Sequence, residues 1–388
     1  MFDELIKLKG RNNYKWDGMP IHHGISAENG ISMSVAEMDF RPPECIQSAL
    51  QDRLNHGFFG YDLNTDHFIE ALVWWMRTRH DCDIPHEWLI PTSNTMNAIA
   101  ICIETYTRPG DGIVIFSPVY HQFSNLINKT GRKVVECPLQ LHDSRYQIDF
   151  DACEDMLDGT ESMILFCSPH NPGGRVWTRS ELSNLAALAK QRDLLVVSDE
   201  IHQDIVYAGH SHTPALSLSA ELNERLITIS SPGKTFNLAG LCIGCAIIPS
   251  LTLREQFRSR FETTFIAPNS LGLSMAAGAY SPEGADWVDE LVAYMTVNKE
   301  IFHQAIDESG SATAMPIEAT YLSWVSINDN QKDAESLIQK IEQDARIAVC
   351  EGSTFGSSSK NFVRINLATQ RTQVIEAANR LKAILSRP

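Results

Sequence analysis

Short apolar runs at 112–117, 163–168, 194–199, 226–230 and 243–248 punctuate the middle of the chain. Each is too brief for a helix, is rich in Val, Ile and Leu, and shows no alternation of polar residues. A strand reads this way when both of its faces are buried. Between the runs lie longer stretches with apolar residues three and four apart, at 95–106 and 179–192, the spacing of one helix face. Alternation of the two patterns predicts an α/β domain built on a mostly parallel sheet covered on both sides. We place this large domain at 45–280. Residues 1–44 read as an irregular arm containing Pro20, Pro42 and Pro43. A long helix is predicted over 286–308. It is followed by strands near 321–327, 348–351 and 362–366 and a helix near 334–343. These last segments, 281–388, form a smaller α+β domain together with the arm.

Composition narrows the function. The 388 residues are 43% hydrophobic and 21% charged, an ordinary globular balance with ample material for a core. A formal net charge of −16 repels phosphate backbones and anionic lipid, so neither nucleic acid nor a membrane surface is the expected partner. No apolar run approaches the ~20 residues needed to span a bilayer, and the charged N-terminus lacks a signal-peptide pattern. Nine cysteines are scattered through apolar stretches, Cys102, Cys167 and Cys242 among them. This predicts reduced thiols and a cytoplasmic protein. Cys242 and Cys245 form a Cys-x-x-Cys pair, but no second pair could complete a zinc site. Both are expected in a buried strand, and no metal is expected.

Ligands of open α/β sheets bind beyond the carboxyl ends of the strands, and there the polar residues gather. Tyr120 follows the run at 112–117. Asn171 follows 163–168, within Pro169-His170-Asn171-Pro172-Gly173-Gly174. Asp199 and His202 close the run 194–199, and Ser231 and Lys234 follow 226–230. Each alone has a plainer reading. Lys234 could be a solvated charge, Asn171 a turn residue before proline, Tyr120 a packing group. Together they supply what pyridoxal 5′-phosphate requires: an amine for its aldehyde, a carboxylate for its ring nitrogen, a donor for its ring oxygen and an aromatic face. Its phosphate needs backbone N–H groups at a helix start, and Asn94 and Thr95 open the helix at 95–106.

These stretches carry a resemblance. Ser34-Val35-Ala36-Glu37-Met38-Asp39-Phe40, His56-Gly57-Phe58-Phe59-Gly60-Tyr61, Ser117-Pro118-Val119-Tyr120, Asp199-Glu200-Ile201-His202, Lys234-Thr235-Phe236-Asn237-Leu238-Ala239-Gly240-Leu241 and Phe362-Val363-Arg364-Ile365-Asn366 follow one another over nearly the whole chain. The chain resembles fold-type I pyridoxal-phosphate enzymes of the aminotransferase class I/II superfamily, and within it the MalY/PatB cystathionine β-lyase, or C–S lyase, subgroup. The resemblance implies an aspartate aminotransferase-like fold with a seven-stranded-type sheet and a homodimer with shared active sites. It implies that Lys234 carries the cofactor as a Schiff base and removes the substrate Cα proton. Asp199 would pair with the ring nitrogen, Asn171 with the ring oxygen, and Tyr120 would stack on the ring. His202 stands where many relatives place a tyrosine that touches that oxygen. Tyr61 would reach the phosphate of the neighbouring subunit, while Arg364, with Ala36 and Tyr61, would receive the substrate. Departures from the family pattern are Thr92-Ser93-Asn94-Thr95 at the phosphate turn, Gly233 before the lysine and Glu37 in place of aspartate. Ser230 or Ser231 is the candidate to supply the hydroxyl that Gly233 lacks.

The activity implied is α,β-elimination from L-cystathionine or a related cysteine S-conjugate, giving a thiol, pyruvate and ammonia. An aminotransferase would use the same lysine, aspartate and arginine, and would be told apart by conversion of a keto acid to an amino acid. A pyridoxal-phosphate-binding regulatory protein is the reading from a different class. It predicts a cellular effect that survives loss of Lys234.

Overall fold

The computed structural model describes residues 2–60, 62, 65–327 and 334–386, with the backbone alone for 334–337. All five runs read as buried strands join one seven-stranded sheet. Its spatial order is Leu89–Thr92, Gly244–Ile247, Leu226–Ser230, Leu195–Asp199, Glu161–Cys167, Gly112–Ser117 and Lys133–Pro138. Gly244–Ile247 runs antiparallel to both of its neighbours, and the other pairings are parallel. The two-sided apolarity of the runs now has its cause. In Gly112–Ser117, Val114 and Phe116 enter one core, while Ile113 and Ile115 enter the other. The first core also receives Leu182, Leu185 and Leu188 from the helix Arg179–Gln191. The second receives Ala98, Ile99 and Cys102 from the helix Thr95–Tyr106.

Local chemistry starts these helices where the site needs them. The Asn94 side chain accepts from Asn97 N at 2.8 Å and caps Thr95–Tyr106 at the end of the strand Leu89–Thr92. Thr178 and Glu181 form a reciprocal capping box on Arg179–Gln191.

A second, antiparallel sheet is ordered Ala312–Ala314, Leu322–Ile327, Phe362–Asn366 and Cys350–Glu351. The long helix Pro282–Asp307 and the helix Arg371–Leu385 contribute Phe302, Ile306, Leu381 and Leu385 to the core beside it. The arm proves more ordered than its sequence suggests. It contains helical turns at Tyr14–Asp17 and Met19–His22, and its strand Ile31–Ser32 pairs in parallel with Ile347–Ala348. A fully buried ion pair holds it. Lys15 Nζ lies 2.9 Å from Asp39 Oδ2, whose other oxygen accepts from Trp16 Nε1 at 2.8 Å.

Two cysteine expectations are corrected. Cys137 and Cys153 are joined in a buried disulfide that ties an edge strand of the large sheet to the helix Phe150–Met156, whereas free thiols were expected throughout. Cys245 is buried in its strand, but Cys242 is exposed. The chain turns through a left-handed residue at Cys242 (φ 53°) and enters the strand only at Gly244. Among the described residues, no helix is long and apolar enough to cross a membrane.

Candidate active site

A cavity of about 550 Å³ opens at the carboxyl ends of the large-sheet strands and is also lined by residues of the small sheet and the arm. Asn94, Thr95, Tyr120, Asn171, Asp199, His202, Ser231, Lys234, Arg364 and Ala36 all line it. Tyr61 lies outside the described residues. The convergence follows from topology. Parallel strands deliver their carboxyl ends to one edge, and Arg364 reaches the same space from the strand Phe362–Asn366.

Lys234 Nζ donates to the carbonyl of Ala36 at 2.7 Å, and Tyr321 Oη donates to the same carbonyl at 3.1 Å. Burial pulls the lysine amine down to about 8, and the charge of Arg364 acts in the same direction against Glu37 and Asp199. Asp199 is 5% exposed and accepts from Ile201 N at 3.2 Å. No salt bridge reaches it among the described residues. Burial therefore pushes its carboxyl up to about 7. This is a buried acceptor with room for a cationic or N–H partner. His202 is held neutral, pulled down to about 3 by burial and then by the charges of Lys234 and Arg364. Its Nδ1 has no hydrogen-bond partner.

Arg364 is 4% exposed. One nitrogen of its fork donates to Asn171 Oδ1 and another to the carbonyl of Ser34, both at 3.0 Å, while its Nε is unpartnered. The guanidinium also lies 4.9 Å from the Phe355 ring centroid. Tyr120 borders the cavity, with burial raising its phenol. At the helix start, Gly244 lets the neighbouring strand come close. A Cβ there would stand 3.0 Å from Asn94 C and 3.1 Å from Thr95 N. The first N–H groups of the helix Thr95–Tyr106 have no intrahelical partner, as at any helix start, and Asn94 and Thr95 are on the cavity wall. The Ser231 hydroxyl donates to Ile243 O at 2.6 Å and accepts from Gly233 N at 3.0 Å. Its proton thus braces the lysine loop. Ser230 meets Gln203 Nε2 at 3.1 Å.

Of the arm, the sequence placed only Ala36 at the site. Tyr14, Lys15, Met19, His22 and His23 also line the cavity. The Lys15–Asp39 pair is what a search for opposite charges in apolar surroundings could have raised. Tyr321 was also missed. Only the fold reveals that it shares the Ala36 carbonyl with Lys234.

Residues 28–381 match the family described as aminotransferase class I and II. Cystathionine beta-lyase PatB of Bacillus subtilis (strain 168) is 32% identical, over 99% of this chain and 100% of its own. Among solved structures, cystalysin from Treponema denticola, which contains a pyridoxal 5′-phosphate cofactor, superposes with a TM-score of 0.95. It is 32% identical, covering 99% of this chain and 98% of its own. The PLP-bound C–S lyase from Staphylococcus hominis has a TM-score of 0.90 at 27% identity, covering 100% and 98%.

Proposed function

Since the chain belongs to the aminotransferase class I and II family, and its cavity joins an amine, an unpaired carboxylate and a buried guanidinium, we propose that it is a pyridoxal 5′-phosphate-dependent C–S lyase. Its substrates are L-cysteine S-conjugates, cystathionine among them. The cavity fits the cofactor on its own terms. Asp199 is a buried acceptor lacking a cationic partner, His202 Nδ1 and Arg364 Nε are buried and unpartnered, and a helix start stands at the wall. Asp199 would hold the ring nitrogen, Asn171 and His202 the ring oxygen, Tyr120 a ring face, and the start of the helix Thr95–Tyr106 the phosphate. When bound, the cofactor supplies an aldehyde for amines and an electron-withdrawing ring that makes a substrate Cα–H acidic.

This chain's own residues do the rest. Arg364 grips the substrate carboxylate through its planar fork and so orients Cα. Lys234 supplies the amine that receives the Cα proton. Burial favours the uncharged, proton-accepting amine, so Lys234 is available as a base well below the ordinary lysine range. The arm and the small sheet supply the wall of the cavity facing the strand ends. Loss of the Cα proton lets the Cβ–S bond break: the sulfur leaves as a thiolate and takes up a proton to become the thiol, and the aminoacrylate left behind is hydrolysed by water to pyruvate and ammonia. The observation supporting this chemistry is the Lys234–Asp199–Arg364 convergence in one cavity. Full-length similarity to PatB and cystalysin supports elimination as the outcome.

We further read residues 45–280 as the cofactor-binding unit and 1–44 with 281–388 as the smaller one, in a cytoplasmic homodimer that completes each site with Tyr61. The deciding experiment incubates purified protein with L-cystathionine and S-substituted cysteines, without any keto acid, and assays pyruvate and thiol. Equimolar pyruvate and thiol are expected. Turnover that requires an added keto acid and yields an amino acid would assign transamination instead.

A further inference from the structure

Outside the cavity lining lies a buried polar cluster that the proposed chemistry does not use. Asp204 ends the turn Ile201-His202-Gln203-Asp204, which follows the strand Leu195–Asp199 after Glu200. Its side chain is 1% exposed. Its Oδ1 accepts from Trp75 Nε1 at 2.8 Å and meets His80 Nε2 at 2.7 Å, while Oδ2 accepts the hydroxyl of Thr235 at 2.6 Å. Burial by itself would raise the Asp204 carboxyl, but the bonds from His80, Thr235 and Trp75 hold it below its ordinary value. It is therefore a carboxylate, an acceptor only, and His80 Nε2 carries the shared hydrogen.

Thr235 is the residue after Lys234 and is fully buried. A second bond runs beside the first, from Gln203 Nε2 to Ser230 Oγ at 3.1 Å. The stretch from Asp199 to Asp204, which brings Asp199 and His202 to the cavity, is thus cross-linked to both ends of the segment that presents Lys234. We infer that Asp204, backed by His80 and Trp75, is a positioning residue that fixes the Lys234 loop through Thr235 and so sets the place of the amine opposite Asp199. Two considerations support this over a purely stabilising role. The hydroxyl bond is short and reaches the residue adjacent to the lysine. Moreover, the carboxylate and its three donors are all enclosed (Trp75 0%, His80 side chain 6%), so solvent cannot substitute for a lost partner.

The inference rests on Lys234 as the cofactor lysine. Borohydride reduction of the holoenzyme followed by mass spectrometry tests that separately, and cofactor mass found elsewhere would remove the premise. The test proper uses the full-length chain stripped of cofactor. Trace acylation of the Lys234 amine is followed by peptide mass spectrometry between about pH 6 and 10, for wild type, Thr235→Val and Thr235→Ser. Groups facing the amine are Arg364, Glu37, Asp199 and His202, and all are unchanged in these variants. Thr235→Val should loosen the loop, let water reach the amine, and move the labelling midpoint up toward the ordinary ~10.4. Thr235→Ser should restore it. In the reconstituted enzyme, kcat should fall about 10–100-fold for Thr235→Val with little change in KM, the scale of a small misplacement of a catalytic group. An unchanged labelling midpoint and unchanged kcat would overturn the inference, as would lowered thermal stability alone. Should Thr235→Val fail to fold, His80→Gln, at the end of the helix Asp66–His80, undergoes the same labelling with the same expected direction and the same overturning result.

Discussion

Arg364 shows how much one side chain can be asked to do. Its fork already bonds Asn171 and Ser34 and keeps an unpartnered Nε, so its orientation is set before any ligand arrives. Arg364→Lys retains the charge and loses the fork. KM for a cysteine conjugate should rise roughly 10–100-fold, about 1.5–3 kcal/mol for charged hydrogen bonds, with a smaller change in kcat. Steady-state kinetics checks this, and a KM within twofold of wild type would remove Arg364 from carboxylate binding. Residues of this kind were legible in the sequence because they sit next to strand ends or in dense motifs. Tyr321 and His80 were not. Their partners Ala36 and Asp204 are remote along the chain, and a lone tyrosine or histidine carries no periodic signal.

Among the elements, the strand-end loop carrying Asn171 is tied to the small sheet by one buried carboxylate. Glu318 accepts from Arg175 Nε at 3.3 Å and Val176 N at 2.8 Å, and it also bonds Arg145. Gly174, at φ 64°, turns so tightly here that its carbonyl accepts from both Glu318 N and Ala319 N at 2.9 Å. Removing Glu318 takes one of two carboxylates from buried Arg175 and leaves Val176 N without its acceptor, so Glu318→Ala should cost about 3 kcal/mol in urea unfolding. Because Glu181 also bonds Arg175, Glu318→Gln should recover part of that loss. A loss under about 0.5 kcal/mol, the range of ordinary surface changes, would mean that the junction does not depend on this carboxylate. Strands and helices in the middle of the chain matched their periodicity closely, since burial on both faces writes a continuous apolar run. The arm did not, because its short helical turns are held by long-range contacts and not by propensity.

For the whole molecule, buried imidazoles set the acid limit of the cofactor-free protein. Burial holds His170 and His202 down to about 3 and His303 down to about 4, against an ordinary value of 6.5. Each is neutral when folded and would take up a proton when unfolded. The unfolded state thus binds more protons below about pH 6.5, and stability falls as pH drops from there toward 4. Asp199 acts oppositely. Its folded value, raised to about 7, means that stability from this group is lost as pH rises from 3.8 to 7. Three imidazoles outweigh one carboxyl, so the melting temperature should decline on acidification below about pH 6.5. The decline should be shallower in His303→Asn, as calorimetry across that range can show. A slope unchanged by that substitution would exclude His303 as a contributor.

The segment that presents Ala36 to Lys234 is held by groups far downstream in the chain. Asn366 Nδ2 donates to the carbonyls of Val35 and Glu37, 331 and 329 positions away, and Arg364 donates to Ser34 O across 330. A chain growing on the ribosome therefore carries Lys234, Asp199 and Asn171 long before the pieces that close over them have been made. Until the last strand is released, the pocket stays open and Ala36 has no fixed place. Catalytic competence is therefore acquired only once residues 364–366 have been made, and a nonsense codon between Lys234 and Arg364 yields a polypeptide with its lysine in place and its site unfinished.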